Sequence, residues 1–188
     1  MDQGSARERL LDAAARLFYA DGVHATGIDT ITSEANVAKK SLYNNFSSKA
    51  ELVSAYIDAR HEEWLALYRA RSAKASTATD RVLAVFDAYI DHAKDAYDDG
   101  FRGCGLLNAA AEFPSSAPAR STVRAHKEQV ERILVENLEA MLAEAQALEL
   151  AEHFSFLLEG AVARAGLEGS PTRLEHARAV ASRLLAAL

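Results

Sequence analysis

Ala35-Asn36-Val37-Ala38-Lys39-Lys40-Ser41-Leu42-Tyr43-Asn44-Asn45-Phe46 is the stretch that sets the fold class. Asn36 tolerates the left-handed backbone that a tight turn between two helices requires. Beyond it, Leu42 and Phe46 stand four apart, so they share one face of a short helix over 39–46. Lys40, Ser41, Tyr43, Asn44 and Asn45 are left facing outward or sideways. From Ala35 to Ala50 there are three lysines, Lys39, Lys40 and Lys49, and no acidic residue. Lysine and asparagine match guanine and adenine edges in a major groove, whereas Ser, Tyr and Lys match phosphate oxygens.

The flanks agree with this reading. Upstream, Ala6, Leu10, Ala13, Leu17 and Ala20 line one face of a helix opened by the capping box Ser5-x-x-Glu8 and closed by Asp21-Gly22. Thr26-x-x-Asp29 predicts the start of a second helix, about two turns long, that buries Ile28, Ile31 and Ala35. Downstream, Ser48-x-x-Glu51 predicts a further capping box and a long helix running through Trp64 toward Arg71. Three small helices with a tight turn between the last two are the form of a helix-turn-helix unit. Residues 1–49 hold six basic and six acidic side chains, and residues 50–188 carry the whole net charge of −6. The overall charge therefore gives no support for nucleic-acid binding. A local cationic face must carry it.

The stretch Gly22-Val23-His24-Ala25-Thr26-Gly27-Ile28, with Ile31 and then Ala35 through Phe46, runs into Ser47-Ser48-Lys49-Ala50-Glu51-Leu52. Over about residues 7–55 it resembles the DNA-binding domain of TetR-type transcriptional regulators, through Leu-Tyr-x-x-Phe and the following Ser-Lys-x-Glu-Leu. The resemblance implies that Thr26, Tyr43 and Lys49 grip phosphates and that residues 38–45 enter the major groove. It also implies a homodimer and a C-terminal ligand domain. Four positions depart from the family pattern. Asn36 stands where glycine is usual. Ala38 replaces a serine cap, at a local cost of about 1 kcal/mol. Asn44-Asn45 replaces an aromatic–histidine pair, so operator sequence does not carry over from relatives.

The remaining chain also reads as helices. The 188 residues are 49% hydrophobic and 26% charged, with three prolines and nine glycines, a balance that suits a buried core and argues against turn-rich sheet folds. The predicted architecture is all-α with about nine helices: a DNA-binding domain over 1–52 and a ligand-binding and dimerisation bundle over 53–188. Residues 72–80 read as a linker. Val82, Val85, Phe86, Tyr89, Ile90 and Ala93 mark an amphipathic helix ended by Asp98-Asp99-Gly100. Pro118 fits the first turn of the next long helix. Gly166, Gly169 and Pro171 separate the last two.

Cys104 to Phe113 is unusually apolar apart from Asn108 and Glu112, four apart on one face. Buried polar groups need partners, and a bound molecule is one source of them. With Trp64, Tyr68, Phe86, Tyr89, His92 and His126, they form the predicted ligand-binding set. On the last two helices Phe154, Leu158, Ala161, Val162, Ala165, Leu174, Ala177, Ala181 and Leu184 form apolar stripes assigned to a two-fold dimer interface.

Single Cys104 excludes a disulfide framework and reads as a small buried hydrophobe. His92, Glu112 and His126 lack i, i+4 spacing, so neither a metal nor a cofactor is expected. No apolar run reaches the ~20 residues of a membrane span. The polar opening Met1-Asp2-Gln3-Gly4-Ser5 is unlike a secretion signal, which points to a cytoplasmic protein. The functional expectation is a non-enzymatic, ligand-responsive repressor, bound as a homodimer to a palindromic double-stranded operator and released by a small-molecule effector. The alternative is a small-molecule-binding or catalytic helical bundle without specific DNA binding. Against it, no nucleophile–base pair or Gly-rich phosphate loop stands out.

Overall fold

The computed structural model describes residues 4–94 and 100–188. Among them are nine α-helices and no strand: α1 (Ala6–Ala20), α2 (Ile28–Glu34), α3 (Lys39–Asn45), α4 (Lys49–Ser72), α5 (Ala78–Lys94), α6 (Gly105–Ala111), α7 (Pro118–Leu138), α8 (Glu144–Glu168) and α9 (Thr172–Leu185). The helix end expected at Asp98-Asp99 lies outside the described residues. No described helix is long and apolar enough to cross a membrane.

The chain forms two compact units whose boundary differs from the expected break at 52/53. One comprises residues 1–60 and 105–123, the other 61–104 and 124–188. The reason is visible in the cores. Val53, Tyr56 and Ile57 of α4 are buried in the first unit, and Phe18 meets Tyr56 edge-on at 5.5 Å. Beside α1, Gly105 leaves no room for a side chain: a Cβ there would lie 2.9 Å from the Tyr56 hydroxyl and 3.2 Å from the Tyr19 ring. Residues 105–113 therefore belong to the first unit, where Gly105, Leu106, Ala109 and Ala110 are buried.

Local signals decide the helix ends, with some exceptions. Ser5 and Glu8 cap α1 reciprocally, Gly22 adopts φ +95°, and Asn36 makes its turn at φ +50°. Thr26, by contrast, does not cap α2. Gly27 takes that place without a side-chain bond, while the Thr26 hydroxyl donates to Gly22 O at 2.7 Å. The predicted linker is shorter than expected, because Thr77-x-x-Asp80 caps α5. Asp80 N donates to Thr77 Oγ1 at 3.0 Å, and the Asp80 carboxylate accepts from Thr77 N at 3.0 Å. The Thr77 and Ser76 hydroxyls, with the Thr77 amide, hold the carboxyl pKa below its usual value.

In the second unit, α9 packs on α5 and α8. Arg178 forks onto Asp87 (2.6 and 3.1 Å), and Arg71 holds Asp91 at 2.6 Å. Phe86 and Phe154 meet edge-on at 5.6 Å in the core. Gly166 does not separate helices. It lies inside α8, where a Cβ would come within 2.6 Å of Gly103 Cα, and the helix ends instead at Gly169 with φ +62°.

Candidate nucleic-acid interface

The interface starts from the packing of α3. Leu42 and Phe46 are fully buried, so the opposite face is fixed outward. Tyr43 is 50% exposed, and Lys39, Lys40 and Asn44 are exposed beside it. Ala38 occupies the N-cap without a side-chain bond, as its missing hydroxyl requires. Lys39 Nζ reaches Asp29 Oδ1 at 2.7 Å, and that bond raises its pKa.

Three of the eight predicted contact residues are committed inside the unit. Asn45 is half-buried, its amide donating to Ser41 O at 2.8 Å. The half-buried Lys49 donates to Val23 O at 2.6 Å. Thr26 is buried. Ser41 is half-buried, which leaves Lys39, Lys40, Tyr43 and Asn44 as the open face. Glu51 sets the start of α4. Its N–H donates to Ser48 Oγ at 3.2 Å, but its carboxylate reaches back to Ser47 N (2.7 Å) and Ser47 Oγ (2.6 Å), one residue earlier than a capping box would place it. The Ser47 bonds hold its pKa down.

Glu112 has a role the sequence did not reveal. Its carboxylate accepts from Val23 N and His24 N, both at 2.7 Å, and lies 3.1 Å from His24 Nδ1, bracing the loop between α1 and α2. Burial pushes its pKa up, but the His24 and Val23 amides and the imidazole more than offset this and hold it below the usual value. Glu112 and the exposed Asn108 thus belong to the first unit, apart from the aromatic set they were grouped with. A contact 89 residues apart leaves no periodic trace in a sequence.

Of the predicted ligand set, Trp64, Tyr68, Tyr89 and His126 come together in the second unit. Trp64 stacks on Tyr68 at 5.9 Å, tilts against Tyr89 at 5.3 Å and meets His126 edge-on at 5.6 Å. Phe86 is core, and His92 is half-buried. Burial first, then the charges of Lys127, His61 and His92, lower the His126 pKa to about 3. Its Nδ1 faces that of His61.

Lys127, absent from the predicted set, donates to Glu159 Oε1 at 2.8 Å and lies 3.7 Å from Cys104 Sγ, which is half-buried rather than buried. Burial lowers the Lys127 pKa, but Tyr89, Cys104 and Glu159 outweigh it and leave it raised. Burial drives the Tyr89 hydroxyl up to about 12. Two buried polar atoms here, Trp64 Nε1 and Glu159 Oε2, have no hydrogen-bond partner among the described residues.

Most residues of the predicted dimer stripe face inward. Phe154, Leu158, Ala161, Val162, Ala165, Leu174, Ala177 and Ala181 are buried within the chain's own core, because α9 and α5 already cover them. Of that set only Leu184 is exposed, at 46%. The open apolar surface of α8 and α9 lies beside them: Phe156 at 65% exposure, with Leu157, Gly160, Val180 and the stripe's own Ala161 and Ala177, lines a cleft of about 320 Å³.

Three small helices that bury Leu42 and Phe46 and present Lys40, Tyr43 and Asn44, joined to a second helical unit, define a helix-turn-helix regulator. Residues 10–56 match the family described as bacterial regulatory proteins, tetR family, and residues 78–181 match the tetracyclin repressor-like C-terminal domain. A TetR-family transcriptional regulator from Streptomyces coelicolor superposes with a TM-score of 0.83 at 36% identity, covering 95% of this chain and 94% of that one. The chain is also 39% identical over 97 residues to the HTH-type transcriptional activator FasR of Mycolicibacterium smegmatis, covering 48% of this chain and 43% of that protein. It is 41% identical over 56 residues to the HTH-type transcriptional regulator TtgR of Pseudomonas putida, covering 30% and 27%. These matches span less than half the length of either curated relative. The chain belongs to the tetR family of bacterial regulatory proteins.

Proposed function

We propose that this protein is a ligand-responsive transcriptional repressor of the cytoplasm that binds a palindromic double-stranded operator as a homodimer. The observation that carries the reading is the open face of α3, where Lys40, Tyr43 and Asn44 stand in solvent on a helix anchored by Leu42 and Phe46. Lys40 and Asn44 read base edges. Tyr43 contacts phosphate, and Lys49 does so with the N–H groups not held by Val23 O. A two-fold dimer sets its half-sites about 34 Å apart or a multiple of that.

The dimer forms through Phe156, Leu157, Gly160, Val180 and Leu184, and the exposure of Phe156, Gly160 and Leu184 supports an interface outside the chain's own core. The effector binds near Trp64, Tyr68, Tyr89 and His126. The orphaned Trp64 Nε1 calls for an acceptor on that molecule, and Glu159 Oε2 calls for a donor. Its binding changes the spacing of the two recognition helices and ends simultaneous engagement. Fluorescence anisotropy against the DNA upstream of the chain's own gene tests this. Binding that survives excess non-specific competitor and weakens steeply with salt is expected. Competition to zero would overturn it.

A further inference from the structure

A cleft of about 270 Å³ lies wholly within the DNA-binding unit, and no step of the proposed regulation uses it. Its walls are Val23 and His24 of the α1–α2 loop, Lys49, Ala50, Val53 and Ser54 at the start of α4, and Phe113, Ala117, Pro118, Ala119 and Thr122 before and within the start of α7. The volume falls just below the ~300–1,000 Å³ range of drug-sized ligand sites, which suits a compact molecule. Val53, Phe113 and Pro118 supply apolar surface suited to a flat ring. Phe113 also meets the His24 ring at 5.2 Å.

The polar side of the cleft has one sign. Its eleven lining residues include a lysine and an imidazole and no acid. Glu112 turns its carboxylate onto the Val23 and His24 amides, so that charge is already compensated. Lys49 Nζ uses one N–H on Val23 O, and an ammonium has two more to give. We propose that this cleft binds a compact aromatic monocarboxylate, its ring against Val53, Phe113 and Pro118 and its carboxylate on Lys49, and that occupancy lowers operator affinity by drawing Lys49 away from phosphate.

The operator half of this proposal rests on the DNA-binding reading, and the binding half does not. The probe is 2-naphthoate, with neutral 2-naphthamide as control, titrated calorimetrically into the full chain without DNA. Saturable binding of the acid is expected, at least tenfold tighter than the amide. Ala119→Phe, which fills the cleft, should weaken binding at least tenfold while leaving ligand-free operator affinity unchanged. Methyl NMR of the wild-type chain guards against a folding artefact, since 2-naphthoate should shift the Ala50, Ala117 and Ala119 signals. No binding, equal binding of the amide, or shifts confined to alanines of the other unit would overturn the site. Given binding, 2-naphthoate should weaken wild-type operator affinity severalfold and leave that of Ala119→Phe unmoved. An unchanged wild-type affinity would overturn the regulatory half alone. A chain that bound the acid but no operator would fail the functional reading and leave the site standing.

Discussion

Lys40 and Lys127 present the same ammonium in opposite settings. Lys40 stands in solvent on α3, beside the exposed Tyr43 and Asn44. Lys127 is held against Glu159, Tyr89 and Cys104, beside a tryptophan and a carboxylate oxygen that lack partners. An exposed cation on a rigid helix costs the fold almost nothing and waits for a partner from outside. A largely enclosed one is compensated internally, and its neighbours feel any change as a loss of stability. Substitutions in the two settings should therefore fail in different assays.

The largest effect is expected at Trp64. Trp64→Ala removes the residue that touches Tyr68, Tyr89 and His126, and should cost about 3–5 kcal/mol in a denaturant melt. A loss below about 1 kcal/mol would mean that this cluster is not packed as described.

Next comes acid sensitivity. His126 has its pKa lowered to about 3 in the fold, against 6.5 for the free side chain. Below 6.5 the unfolded chain takes up a proton that the folded chain refuses, so stability falls as pH drops from 6.5 toward 3. The slope is at most about 1.4 kcal/mol per pH unit, reaching roughly 2 kcal/mol by pH 5. His126→Phe should flatten this part of the stability–pH curve. An unchanged slope in the variant would refute the assignment.

On the exposed side, Lys40→Ala and Asn44→Ala should leave the melt within about 0.5 kcal/mol of wild type. They should instead cost ~1–3 kcal/mol of discrimination at single operator positions, read from a base-by-base scan. Uniform weakening across the operator would reassign both residues to the phosphates.

The smallest expected effect belongs to Glu112. Its pKa is depressed in the fold, so the bracing of Val23 and His24 is present above the ordinary carboxylate pKa and lost as pH falls through the folded value. Glu112→Gln should remove that acid-side loss. It should also speed amide exchange at Val23 and His24, measured at neutral pH. Unaltered exchange would show that the carboxylate does not hold the loop.

How legible each part was follows from the range of the interaction that made it. The α1 capping box, the Asn36 turn and the inward Leu42–Phe46 pair depend on residues within four positions, so periodicity exposes them. The Ser47–Glu51 bond also lies within that range, but one residue off the expected pattern, which a cap rule does not resolve. The apolar stripes of α8 and α9 were visible, yet whether a stripe faces its own chain or another copy depends on where α5 comes to lie. For Phe154 and Leu158 the stripe faces its own chain, whereas Phe156 is left exposed. Lys127 and Glu159 stand 32 positions apart, and the linear pattern held nothing to pair them.

The brace from Glu112 to the α1–α2 loop also bears on how the chain is made. On a ribosome, residues 1–60 emerge well before α6, so the α1–α2 loop must wait for Glu112, 89 positions beyond Val23, to be braced. Domains generally fold as units during synthesis, and this unit is complete only when residue 123 is clear of the exit tunnel. The same holds for chimeras. A graft of residues 1–60 onto a foreign effector module would leave the brace behind, whereas a transplant that also carries 105–123 would take it along.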